Sequence, residues 1–161
     1  MSAASEDSDK KSARKVVRRM IQRLRLPPEG GLNVIVARAE EVYGKPLVIE
    51  AVTDDKLRRL TGLFRDTETK GHIWYRLADA EVYQIHCVLH EIGHAVFKHT
   101  DCVLLRRLGV AIDDEAFRGA NILRGRGLVN DPSELVAELF ALELMRTMLE
   151  TRLAPGEEEF G

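Results

Sequence analysis

Residues Glu81–His99 read EVYQIHCVLHEIGHAVFKH, and this stretch decides the fold. Val82, Ile85, Val88, Leu89, Ile92 and Val96 recur at three- and four-residue spacing, which predicts an amphipathic core helix from Asp79 to about His99. Inside it lies His90-Glu91-Ile92-Gly93-His94. Residues four apart sit about 40° apart around a helix and one turn apart along it, so both imidazoles can reach one ion. Zinc suits that pair, because it takes neutral imidazole nitrogen at about 2.0–2.1 Å in a tetrahedral site. Glu91 projects about 100° away, towards a water on the metal rather than the metal itself. The chain's own histidine and glutamate content gives roughly 0.015 such matches by chance, so composition alone does not explain the motif. Gly93, between the two histidines, permits close backbone approach.

His86 extends the stripe, but His86 and His94 are about 12 Å apart along the helix axis at 1.5 Å per residue, too far to share an ion. His86 is therefore read as a packed or supporting residue. A catalytic zinc needs a third protein ligand and an open position. The metzincin extension would require glycine three residues after His94 and histidine six after; Phe97 and Thr100 stand there instead. His99, about 140° from His94 on a continued helix, is expected to lie outside the site. The third ligand must then come from a later helix.

The final helical segment offers it. Asp131 can cap this helix, Pro132 suits its first position, and Glu134 completes an Asp-x-x-Glu box. Glu134 and Glu138 are four apart in the apolar run Leu135, Val136, Ala137, Leu139, Phe140 and Ala141. A carboxylate in such a setting is costly unless paired or bound to metal. Glu134 is assigned to the metal, and Glu138 to a supporting carboxylate that orients His90 or His94. The reverse assignment is the alternative.

Outward from these two helices, Pro46–Thr53, Leu60–Phe64 and His72–Leu77 read as strands, the last two joined across the polar turn DTETKG as an antiparallel hairpin. The expected fold is α+β: a minimal zincin-like domain whose small three-stranded, mainly antiparallel sheet packs on the HExxH helix and further helices. The His72–Leu77 strand could hold an extended substrate at the sheet edge; the alternative is an ordinary edge strand with Trp74 or Tyr75 in the core. A helix over Leu32–Tyr43 should stop at Gly44. Residues 1–12 are expected to be a disordered tail, residues 13–153 a single domain opening with a basic amphipathic helix over 13–26, and residues 154–161 an acidic flexible tail. In the first helix Val16, Val17, Met20, Ile21 and Leu24 form the apolar stripe, and Lys15, Arg18, Arg19, Arg23 and Arg25 cover the rest. The segment from Thr100 to Asn130 has no clear periodicity.

Composition narrows the class. In 161 residues, 45% hydrophobic and 31% charged with a formal charge of −2, nothing points globally to nucleic acid or membrane. No apolar run approaches the roughly 18 residues of a membrane span. The polar start MSAASEDSDK does not resemble a secretory signal, and two cysteines are too few for a disulfide scaffold. A cytoplasmic protein is expected.

HEIGHAVFKH, followed by a helix reading SELVAELFALELM, resembles the ImmA/IrrE family of zinc metallopeptidases over roughly residues 33–152. Glu134, Ala137, Phe140 and Ala141 match the family's Glu-x-x-Ala-Asn-x-Phe-Ala motif, while Glu138 stands where the family carries asparagine. The resemblance implies a gluzincin-like fold, bound Zn2+ and limited proteolysis of a regulator, often a helix-turn-helix repressor of a mobile element or stress response. The expected chemistry is attack of a zinc-bound water on a peptide carbonyl, with Glu91 as base; His99, Tyr75, Arg124 and Arg126 are candidate oxyanion donors. The alternative is a non-catalytic zinc-containing regulatory module acting on a DNA-bound regulator or nucleic acid through the basic helix. That helix carries no recognition motif or interleaved aromatics, so direct nucleic-acid binding is not expected.

Overall fold

The computed structural model describes residues 3–53, 57, 61–99, 122–125 and 131–153. Its elements run in the order α1 (Ala3–Leu24), α2 (Leu32–Tyr43), β1 (Leu47–Val52), β2 (Gly62–Asp66), β3 (Gly71–Arg76), α3 (Glu81–Val96), β4 (Ile122–Gly125) and α4 (Pro132–Leu153). The fold is α+β. Among the described residues no helix is long and apolar enough to cross a membrane.

The sheet has four strands in the order β1-β3-β2-β4. β2 and β3 form the expected antiparallel hairpin, with Phe64 opposite Ile73, and Thr67 and Lys70 close the turn through a backbone hydrogen bond of 2.9 Å. β1 pairs parallel to β3, and β4 pairs antiparallel to β2. Two expectations are thereby corrected. The sheet is mainly antiparallel as expected, but it has four strands rather than three, because β4 comes from the segment that lacked periodicity; four residues are too short to show alternation. The His72–Leu77 strand is also central rather than an edge: hydrogen bonding to β1 and β2 leaves β3 no free side for an extended substrate.

α1 begins at Ala3, not after residue 12. Glu6–Ser12 are exposed, so this extension rests on local propensity, with Glu6 at the favourable end of the helix dipole. Further along, Ala13, Val17 and Leu24 are buried and Met20 and Ile21 pack on the core, whereas Val16 is 44% exposed and falls outside the stripe. α2 ends as expected at Gly44, whose φ of 87° is left-handed and whose N–H donates to Glu40 O. The β2 terminus is tied to the α2–β1 junction through Asp66, which accepts from Tyr43 Oη and, at 2.5 Å, from Lys45 Nζ.

α3 is the axis of the molecule. It packs on β2 and β3, on α2 and on α4, and every residue from His86 to Val96 is buried. Its first turn is exposed, Val82 included, which takes Val82 out of the expected core stripe; from His86 on there is no solvent stripe, so polar side chains must find partners inside the protein. Its closest neighbour is α4. A Cβ on Gly93 would lie 3.2 Å from Ala137 Cα and 3.2 Å from Phe140 Cδ1, so glycine here lets the two helices approach backbone to side chain. Leu89, Ile92, Phe140, Ala141 and Leu144 complete the shared core.

Candidate metal centre

That close approach sets one turn of α4 against the HExxH turn of α3. Asp131 caps α4: its Oδ1 accepts from Ser133 N at 2.8 Å, and its carbonyl accepts from Leu135 N. Just inside this cap the Glu134 side chain turns inward. Glu134 Oε2 lies 3.1 Å from His90 Nε2, and Glu134 Oε1 lies 3.2 Å from His94 Nε2. The two Nε2 atoms are themselves 3.2 Å apart. One atom from each of His90, His94 and Glu134 falls within 4.8 Å of the others, and all three residues are buried.

The donor set is one that a cation could share: two imidazole nitrogens 3.2 Å apart, each facing a different oxygen of the same carboxylate. Both imidazoles turn their outer nitrogens to a second partner. His90 Nδ1 donates to Glu138 Oε2 at 3.1 Å, and a carboxylate can only accept. His86 Nε2 lies 3.2 Å from the other Glu138 oxygen, Oε1. Glu138 therefore stands behind His90, and His86 stands behind Glu138.

His94 Nδ1 meets His99 Nδ1 at 2.9 Å. This corrects the expectation that His99 lies too far round the helix. α3 ends at Val96; Lys98 takes a left-handed φ of 51°, and the chain folds back over its own last turn. His99 N donates to His94 O and Lys98 N to Ala95 O, the pair of bonds that defines a Schellman motif. Such reversals usually carry glycine; lysine at this position hid the turn from sequence reading. With its Nδ1 behind His94, His99 is engaged away from the metal-facing nitrogens.

In the ion-free protein these contacts set the charges. Burial works to lower the His90 pKa, but hydrogen bonds to Glu134 and Glu138 outweigh it and raise it to about 9. Burial works to raise that of Glu134, but hydrogen bonds from His90 and His94 bring it down to about 2. The contact thus favours a proton on His90 and a charge on Glu134, and a cation bound between them would compete with that proton.

Glu91 lies on α3 between the two histidines and is fully buried. It faces the sheet: a Cβ on Gly62 would sit 2.9 Å from Glu91 Oε1 and 3.3 Å from Glu91 Cγ. Glycine at the start of β2 thus makes room for this carboxylate, a role that sequence reading missed because only the fold brings the two together. Tyr75 is the register partner of Gly62 and packs against the core. Of the other candidate oxyanion donors, the Arg124 side chain and Arg126 lie outside the described residues, as does the 154–161 tail.

No protein-family model, no curated protein and no solved structure matches the chain. What is established is an α+β protein with a buried cluster of His90, His94 and Glu134 able to hold a metal ion.

Proposed function

We propose that this protein is a zinc-dependent metalloendopeptidase with a zincin-like fold of the ImmA/IrrE type, acting in the cytoplasm on a regulatory protein of the helix-turn-helix class. The observation that carries this reading is the convergence of His90, His94 and Glu134 beside a buried glutamate on the same helical turn. Packing alone does not call for three buried metal-ligating groups turned towards one another with a further buried carboxylate on the same helical turn.

His90, His94 and Glu134 would hold the ion, which when bound supplies Lewis-acid polarisation of a peptide carbonyl and an acidified water. Glu91 accepts the proton from the attacking water on its carboxylate and delivers it to the departing amine nitrogen. Gly62 and the sheet behind it fix where that carboxylate sits. Glu138 keeps a hydrogen on His90 Nδ1 and so leaves the Nε2 lone pair directed inward.

One observation favours a second reading. His90, Glu91 and His94 are at most 1% exposed and Glu134 is 7% exposed, a burial that also suits zinc as a structural clamp in a non-catalytic regulatory module. A Glu91→Gln variant separates the two. On the proposed reading, the wild-type chain carries about one zinc, cuts a helix-turn-helix regulator at few sites, and Glu91→Gln keeps the zinc while cleavage falls at least ~10²-fold. A zinc-loaded wild-type chain that cuts no regulator supports the clamp, and cleavage that survives in Glu91→Gln overturns the assignment of the base.

A further inference from the structure

The two inward-facing histidines are backed by different chemistry. Behind His90 stands a carboxylate, which accepts only, so the hydrogen on His90 Nδ1 is fixed by its partner. Behind His94 stands another imidazole, with the two Nδ1 atoms 2.9 Å apart. A single hydrogen lies between them, and the ring that donates it decides the tautomer of both. If His94 donates, its Nε2 offers a lone pair to a cation shared with Glu134, in place of the hydrogen bond it otherwise makes to Glu134 Oε1. If His99 donates, His94 carries its own hydrogen on Nε2 and cannot ligate.

We infer that His99 is a positioning residue: it holds its own hydrogen on Nε2, accepts from His94 Nδ1 and thereby keeps His94 in the metal-ligating tautomer. The inference rests on the metal-site reading proposed above. Three features fix the ring for this task. The left-handed Lys98 and the two reversed backbone bonds return the chain to the last turn of α3. Phe97 stacks on the His99 ring at 5.6 Å between centroids and 13° between planes, and is itself held edge-on by Phe140. The His94 ring meets His99 at 68°, with the Nδ1 atoms in contact. A ring placed by one backbone motif and one aromatic stack loses little further freedom when the hydrogen bond forms.

Zinc affinity of the full chain, measured by competition with a chromophoric chelator, tests this role. His99→Asn puts an amide oxygen where Nδ1 stands and should bind zinc within about threefold of wild type, because the acceptor survives. His99→Leu puts a methyl group there and should lose about 10–100-fold, as does removal of other groups that support metal ligands. A leucine variant that binds as tightly as wild type, or an asparagine variant that falls as far as leucine, overturns the inference. Nitrogen-15 spectra of the zinc-loaded wild-type chain give a test that needs no variant: the His99 hydrogen is expected on Nε2, and finding it on Nδ1 overturns the role. The two levels separate cleanly. A wild-type chain that binds no zinc sinks the metal site and this role together, whereas tight wild-type binding with an unaffected leucine variant sinks only the role of His99.

Discussion

Replacing Gly93 with alanine sets two effects of known size against each other. In a helix interior alanine is favoured over glycine by about 1 kcal/mol, so an unconstrained site would be stabilised. Here the new methyl would lie 3.2 Å from Ala137 Cα and from Phe140 Cδ1, and 3.4 Å from Ala137 Cβ. Carbon atoms prefer about 3.5–4.0 Å, so α4 must retreat by a few tenths of an ångström, and one of the opposing atoms is backbone and cannot rotate aside. Overpacking of this kind costs about 1–3 kcal/mol. The balance is a net loss of about 1 kcal/mol in the ion-free protein, read by urea denaturation. The same retreat acts one turn away on Glu134, where metal-ligand distances tolerate only about 0.2 Å. Zinc affinity should therefore fall about tenfold, or 1.4 kcal/mol, by chelator competition. A Gly93→Ala protein more stable than wild type by about 1 kcal/mol would refute the tight α3–α4 contact and the account of how Glu134 reaches the histidines.

Gly62→Ala probes the opposite face of α3. The methyl must displace Glu91 Oε1 from 2.9 Å, which a flexible side chain permits, so stability and zinc content should hold while peptide cleavage drops about tenfold, given that 1 Å of misplacement costs about 10². Thermal melting, metal analysis and a peptidase assay together check this, and an unchanged rate would show that Gly62 does not position the base. Protons and zinc compete for His90. Because its ion-free pKa is raised to about 9 from 6.5, zinc loading must release a proton at neutral pH, and apparent affinity should rise about tenfold per pH unit from 7 to 9 before levelling. In the ion-free chain, the raised His90 contributes stability below pH 6.5 that is lost as pH climbs through about 9. The lowered Glu134 contributes stability above pH 4.5 that is lost as pH falls through about 2. The pair is therefore most stabilising between those two ordinary values, and urea midpoints across pH read it directly. Charge reversal of Lys15, Arg18 and Arg19 to Glu should leave cleavage of a short peptide unchanged, since these side chains are exposed on the outer face of α1; a peptidase assay that loses activity would place that face in the chemistry.

Local patterns showed more in the sequence than long-range ones did. The HExxH spacing, the Asp131 cap and the Gly44 stop each depend on residues within one or two turns, and the corresponding elements form where they were expected. The Glu134–His90 meeting was legible because a carboxylate inside an apolar run has few explanations; Glu134 is buried as that run implies, while Glu138 is partly exposed. The parallel pairing of β1 with β3 was not, since strand order is a property of the packed sheet and not of any strand's alternation. The reach of His99 was hidden by extrapolating an ideal helix past Val96, when a left-handed lysine reverses the chain two residues later. Gly62 carries no local signal of its purpose, which appears only when β2 lies against α3.

The enclosure of α3 has an evolutionary consequence. From His86 to Val96 the same rod supplies both the interior of the protein and two residues of the candidate metal centre, so a change at any position along it alters one or the other. Among the described residues, this segment therefore has little freedom to vary.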